Sequence, residues 1–134
     1  MTGFVIDASI LAGLALADER PSRAVAAVER LREETALAPS LVFFEIRNVL
    51  LVSERRRRIT PTGTEEFLQI VARLPIMIDV DCDEKRLMPL ARKHRLAAYD
   101  AAYLELALRK SVALATLDAE LERAARAEGV TLVQ

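Results

Sequence analysis

Apolar positions along this chain fall into short runs of strand character, separated by longer stretches of helical spacing. Residues 3–6, Gly-Phe-Val-Ile, are β-prone and too few for a helix, and Asp7-Ala8-Ser9 then offers capping side chains to a helix over residues 10–17. Pro21 suits the first turn of a second helix, which runs to about Glu34 with Ala24, Val25, Val28 and Leu31 on one face. A second short strand covers residues 35–38. Pro39-Ser40 opens a long helix through Leu41, Val42, Ile46, Val49, Leu50 and Ser53 to a run of arginines, and Thr60-Pro61 breaks it. A helix over residues 62–74 stops at Pro75, and residues 76–80 read as a third strand of β-branched character. Asp81-Cys82-Asp83-Glu84 supplies acidic caps for a helix ending near residues 94–96, and the next runs from about Tyr99 to Lys110. Residues 112–115 form a fourth strand, Asp118 caps a last helix over residues 119–127, Gly129 ends it, and residues 130–133 are expected to add a fifth strand.

Short apolar strands separated by helices predict a mostly parallel sheet of four to five strands, since parallel pairing needs crossovers that cover both faces. The expected class is therefore α/β, a three-layer α/β/α sandwich. With no internal repeat, low-complexity segment or linker, 134 residues read as a single domain over residues 1–134. Folds of this class bind ligands at the carboxyl ends of their strands.

Composition narrows the chemistry. Hydrophobic residues make up 52% of the chain, yet every apolar run is interrupted well short of the roughly 20 residues that span a bilayer. The first ten residues lack the basic flank and cleavage site of a signal peptide, so the expectation is a cytoplasmic protein without membrane contact. Cys82, the one cysteine, can form no internal disulfide and is expected to be a small, partly buried hydrophobe. His94, the one histidine, sits among Arg92, Lys93 and Arg95, where a solvated helix face is expected. Nucleophilic Cys or Ser-His catalysis and thiolate or imidazole zinc sites are thus unsupported. The net charge of -1 gives no global field for nucleic acid, so any such binding needs local patches. The densest is Arg55-Arg56-Arg57-Arg58, whose guanidinium groups could grip phosphates or simply complement a helix C-terminus.

The remaining candidates are carboxylates. Asp7 follows the first strand and Asp118 the fourth, so both should emerge on one rim of the sheet, where each would also serve as a helix N-cap. Glu45 shares a stripe with Leu41, Val42, Asn48 and Val49 that is expected to face the core. An ionised carboxylate there is costly unless a cation, an arginine or strong hydrogen bonds compensate. Asp100 lies in the first turn of Tyr99-Asp100-Ala101-Ala102-Tyr103, among small and aromatic neighbours. Carboxylates gathered without His or Cys select a hard cation, Mg²⁺ or Mn²⁺, which favours phosphate chemistry. Ser9, Asn48 and Thr116 stand close enough in sequence to orient these acids by hydrogen bonds, or to act only as caps.

Taken in order, Val5-Ile6-Asp7-Ala8-Ser9, Glu45-Ile46-Arg47-Asn48-Val49-Leu50, Tyr99-Asp100-Ala101-Ala102-Tyr103-Leu104 and Leu114-Ala115-Thr116-Leu117-Asp118 resemble the motifs of the VapC-type toxins of the PIN-domain family. The resemblance covers nearly the whole chain; one departure is Leu121, where relatives often carry an aromatic. It implies a Mg²⁺- or Mn²⁺-dependent endoribonuclease, usually a homodimer, held in check by a small antitoxin protein. The family acids map onto Asp7, Glu45, Asp100 and Asp118, with Thr116 as the hydroxyl before the last of them. In this scheme Asp7, Glu45 and Asp100 anchor a first ion, Asp118 completes it or holds a second, and a metal-activated water attacks the RNA. With only 4% aromatic residues, base stacking is expected to be slight, leaving recognition to RNA shape and backbone contacts.

Rival readings fare less well. A haloacid-dehalogenase-type phosphotransferase needs a second acid where Ser9 stands, a receiver domain needs an acidic pair that is absent, and no Gly-rich phosphate loop exists. Two alternatives stay open: a silent binding module that keeps the fold without cleaving RNA, and a housekeeping nuclease without an antitoxin.

Overall fold

β1 (Phe4–Ile6) has every side chain buried, because it occupies the middle of the sheet with helices over both faces. The computed structural model describes residues 3–16 and 20–134. Along them run α1 (Ala8–Leu16), α2 (Ser22–Arg30), β2 (Ala36–Pro39), α3 (Val42–Arg55), α4 (Pro61–Arg73) and β3 (Ile76–Asp79), followed by α5 (Glu84–His94), α6 (Ala98–Lys110), β4 (Ala113–Ala115) and α7 (Ala119–Ala127). The strands pair in the order β3-β2-β1-β4, all parallel, with Phe4 opposite both Ala36 and Ala113. Helices flank this sheet as the third and first layers of an α/β/α sandwich. α6 lies across β1, β2 and β4 with α5 and α7 against it, and α1 packs on α2 and α3.

The strand order places a topological switch between β1 and β4. The chain leaves β1 toward β2 and β3, then crosses back to lay β4 on β1's other side, so the connections after β1 and β4 diverge and leave a crevice at their carboxyl ends. Gly13 sharpens it, since a Cβ there would stand 2.9 Å from Leu117 Cδ1. Its absence lets α1 approach the segment that follows β4.

Two expectations change, and two helix ends take an unusual form. Residues 130–133 do not form a strand; Leu132 makes a single parallel bridge to Leu114, flanked by the Leu114 N–H to Thr131 carbonyl bond at 2.9 Å. α2 ends at Arg30, short of Glu34. α5 and α6 end on residues in the left-handed region, Arg95 (φ 54) and Ser111 (φ 55), without the glycine that usually marks such an end. Bonds from Leu96 N to the Ala91 carbonyl (2.9 Å) and from Val112 N to the Ala107 carbonyl (3.1 Å) close the last turns and hold that conformation.

Two single-residue readings are corrected. His94 is 5% exposed, not on a solvated face, and its Nε2 lies 2.6 Å from Glu128 Oε2, tying α5 to the end of α7. Cys82 is exposed rather than partly buried, because it lies in the open segment between β3 and α5. Leu121, on α7, is fully buried, so its position bears on packing. Among the described residues no helix is long and apolar enough to cross a membrane.

Candidate active site

Asp7 is the first residue past β1, and its carboxylate does two jobs. As cap of α1, its Oδ1 accepts the Ile10 N–H at 3.2 Å and the Ser9 hydroxyl at 2.6 Å. Its Oδ2 accepts the Thr116 hydroxyl, which reaches over from the segment after β4. The Thr116 oxygen in turn accepts the Asp118 N–H at 3.0 Å, and Ser9 Oγ accepts the Leu117 N–H at 2.8 Å. Ser9 and Thr116 therefore stitch the β1 and β4 exits together across the switch point. Despite three donors, burial dominates, and with the nearby Asp118 charge it pushes the Asp7 carboxyl up to about 6.

Asp118 caps α7, its Oδ1 accepting from Glu120 N (2.8 Å) and Leu121 N (3.2 Å). Among the described residues no donor is bonded to its Oδ2. Both strand-end acids are thus caps and pocket residues at once.

Glu45 does not sit on the core stripe that its spacing suggested. The buried row of α3 is Val42, Ile46, Leu50 and Ser53, and Glu45 lies one position off it, half-buried at the flank with Val49. There the Tyr103 hydroxyl donates to its Oε1. Partial burial, and the neighbouring Asp100 charge to a lesser degree, raise the Glu45 carboxyl above its ordinary value. Asp100, in the first turn of α6, is raised too, by burial first and then by Asp118.

These four acids line one pocket of about 190 Å³, together with Ala8, Ser9, Val49 and Tyr103. A larger cavity of about 500 Å³ lies at the opposite, amino ends of the strands, between Gly3, Ser111, Val112 and Gly129, and has no acidic or imidazole lining.

The donor set fits a hard divalent cation: all oxygen, and acids that raise one another's affinity for protons by repulsion, which a cation would relieve. Yet among the described residues no three His, Cys, Asp or Glu side chains are closed around a point where an ion could sit. The hydrogen bonds account for this. Asp7 is turned onto Ser9 and Thr116, and Glu45 onto Tyr103, so each acid is satisfied by a hydroxyl rather than directed at a common centre.

Asn48 is exposed, one turn on from Glu45, and among the described residues it makes no hydrogen bond to any of the four acids. Arg55, Arg56, Arg57 and Arg58 are exposed at the far end of α3. Ten residues at ~1.5 Å rise separate Glu45 from Arg55, about 15 Å. Arg58 donates to the Leu16 carbonyl at 3.2 Å, at the end of α1 remote from Asp7, so it complements that helix's C-terminus. Tyr103 was missed as a site residue by sequence reasoning. The available signal was its place three residues after Asp100, on the same side of α6.

Residues 4–127 match the model of the family described as PIN domain. The chain is similar to Ribonuclease VapC3 of Pyrobaculum aerophilum, at 32% identity over 120 residues, covering 87% of this chain and 90% of that protein. Its fold matches the crystal structure of PAE2754 from the same organism, with a TM-score of 0.71 and 22% identity over 98% of this chain and 84% of the other. It also matches that of Mycobacterium tuberculosis VapC20, described as a sarcin-ricin loop cleaving toxin, with a TM-score of 0.59 and 14% identity over 92% and 95%.

Proposed function

Because the chain belongs to the PIN-domain family, in its VapC branch, we propose that it is a Mg²⁺- or Mn²⁺-dependent endoribonuclease that hydrolyses RNA phosphodiester bonds. The observation that carries this reading is the meeting of Asp7, Glu45, Asp100 and Asp118 in one pocket at the switch point of the sheet.

In this reading Asp7, Glu45 and Asp100 would hold a first ion, and Asp118 would help hold it or take part in holding a second. When bound, the ion supplies the Lewis acidity that readies a water for attack and offsets charge on the departing oxygen. The chain's own side chains prepare the site. Ser9 and Thr116 keep both oxygens of Asp7 at the β1 exit, Asp118 is held by the first turn of α7, and Tyr103 fixes Glu45 at the edge of α3. Above about pH 6 Asp7 is ionised and able to exchange its hydroxyl partners for a cation. Arg55 to Arg58 would meet RNA only well beyond the cleavage point.

The finer reading is a toxin of a toxin-antitoxin pair, working as a homodimer and covered by a small antitoxin protein. An apolar groove between α2 and α4, lined by Val25, Val28, Phe67, Ile70 and Leu74, offers surface for such a partner, and Met77 and Ile78 are exposed on the edge strand β3. One observation favours the silent binding module instead: the carboxylates are not closed into an ion cage.

The deciding experiment is cleavage of total cellular RNA by purified protein with Mg²⁺ or Mn²⁺, beside EDTA and Asp7→Asn, with fragment ends mapped. Discrete fragments that need both metal and Asp7 support the nuclease. Folded, antitoxin-free protein that binds RNA without cutting it under either metal establishes the silent module. Growth arrest on expression, relieved by a co-expressed neighbouring gene product, separates a toxin from a housekeeping nuclease.

A further inference from the structure

The chain has only six aromatic side chains, and their distribution is uneven. Phe4 and Tyr103 are buried and Phe67 is packed against the core, whereas Phe44 is 72% exposed, Tyr99 66% and Phe43 49%. Phe44 immediately precedes Glu45, and Tyr99 immediately precedes Asp100. The exposed aromatics thus all stand at the starts of the two helices that bring Glu45 and Asp100 to the pocket. Phe43 is held in place: it lines a crevice with Ile46 and Ile78, and Arg47 covers its ring with the guanidinium carbon 3.4 Å from the centroid. Against this fixed ring Phe44 stands edge-on, at 5.1 Å between centroids and 77° between planes. Asn48, one turn beyond Phe44, is exposed with its amide free among the described residues.

We infer that Phe44 and Tyr99, buttressed by Phe43 and Arg47, form a stacking platform that seats unpaired nucleobases of single-stranded RNA on either side of the carboxylate pocket. This rests on the ribonuclease reading and assigns two side chains beside the acids to holding the RNA. An open ring face is what an unstacked base seeks, and bases inside a duplex have no free face to offer. Four carboxylates repel phosphate until a cation is bound, so contacts to the bases that do not depend on charge would add to the affinity there. The small aromatic content led to an expectation of slight stacking; against it stands the placement of the exposed rings, each next in sequence to an acid of the pocket or to its neighbour. Exposed aliphatic side chains are spread over α2 (Val25), α3 (Leu51), α4 (Ile70), β3 and the segment after it (Met77, Ile78, Val80) and α5 (Met88), and Ile78 lines the crevice that holds Phe43.

The test is fluorescence anisotropy with a labelled ten-nucleotide single-stranded RNA, in Ca²⁺ to suppress turnover, at low and high salt. Thermal melts would verify that the variants remain folded. Phe44→Ala and Tyr99→Ala should each weaken binding about tenfold, at both salt concentrations. Phe44→Trp should retain affinity, Phe44→Leu should behave like the alanine variant, and a strand with abasic sites should bind the parent protein and Phe44→Ala alike. Alanine variants within twofold of the parent would overturn the platform, as would full affinity in Phe44→Leu. So would a parent dimer that Phe44→Ala dissociates with RNA affinity intact, which would make these rings a subunit interface. In each of these cases a parent protein that still cleaves RNA keeps the nuclease reading, whereas a parent that neither binds nor cleaves RNA removes both.

Discussion

The hydroxyl of Tyr103, a residue 1% exposed on α6, donates a hydrogen bond to Glu45 on α3 and lies against the backbone amide of Ala8 at the start of α1. One oxygen atom therefore ties α6, which carries Asp100, to Glu45 on α3 and to the start of α1 beside Asp7. Desolvation, together with the Glu45 carboxylate, holds the phenol far above its ordinary value, so it stays a donor at all working pH.

Tyr103→Phe keeps the buried ring and deletes only this donor. The expected loss of stability is modest, about 1–2 kcal/mol in urea denaturation of metal-free protein, since Glu45 is half-buried and can turn to solvent. Mn²⁺ affinity, read by electron paramagnetic resonance, is expected to fall roughly tenfold or more as Glu45 loses its fixed direction. Unchanged Mn²⁺ affinity would show that the bond serves packing alone.

Asp7→Asn is expected to stabilise the metal-free protein at neutral pH. The rise of the Asp7 carboxyl to about 6, from near 4 in the unfolded chain, corresponds to roughly 3 kcal/mol in favour of the protonated form. Between those values the native state binds more protons than the unfolded state, so stability falls as pH rises through this window and the full cost persists above it. Asn carries no charge and escapes that cost. In EDTA, urea midpoints at pH 8 should favour the variant, and the difference should vanish near pH 4. An Asn variant less stable than the parent at pH 8 would mean that the hydroxyl bonds to Asp7 outweigh its desolvation.

Much of this site was legible in the sequence because strand ends are legible. Phe4-Val5-Ile6 and the run before Thr116 are too short and apolar for anything but buried strands, so Asp7 and Asp118 had to emerge on one rim. Helix faces were less so. Glu45 borders two stripes about 100° apart, and only the packing of Val42, Ile46 and Leu50 decides between them. His94 looked solvated because its neighbours in sequence are cationic, while its burial is set by Glu128, 34 positions away. The left-handed turns at Arg95 and Ser111 carry no glycine to announce them. Tyr103 was read as part of a motif, since nothing in sequence tells a core tyrosine from one whose hydroxyl reaches a carboxylate 58 positions off.

Arg109 supports the sheet away from the pocket. It bonds Glu105, which is 1% exposed, at 2.8 Å, and Asp79 at the end of β3 at 3.2 Å. Arg109→Ala leaves a buried carboxylate unpaired and is expected to destabilise the fold by about 3 kcal/mol or more. The double variant Glu105→Leu with Arg109→Met, which removes both charges and keeps the volume, should recover most of that loss. Equal destabilisation of single and double variants in urea would show that the pair is worth more than an apolar contact.

Thr116 is where metal affinity and pH should meet. Its hydroxyl donates to Asp7 Oδ2 and its oxygen accepts the Asp118 N–H, so it aligns one acid directly and the other through the backbone. The bond to Asp7 favours the ionised carboxylate and partly offsets the burial that raises it. Thr116→Val has the same shape without the hydroxyl, so the Asp7 carboxyl should climb further above 6. A cation must displace the proton, hence Mn²⁺ affinity should rise with pH through the Asp7 titration in the parent and through a higher midpoint in the variant. Thr116→Ser, which restores the donor, should return the midpoint. The measurement is Mn²⁺ binding from pH 5 to pH 8, with EDTA-treated protein as the starting state. A midpoint that does not move in Thr116→Val, with the protein folded, would remove Asp7 as the proton that competes with the ion.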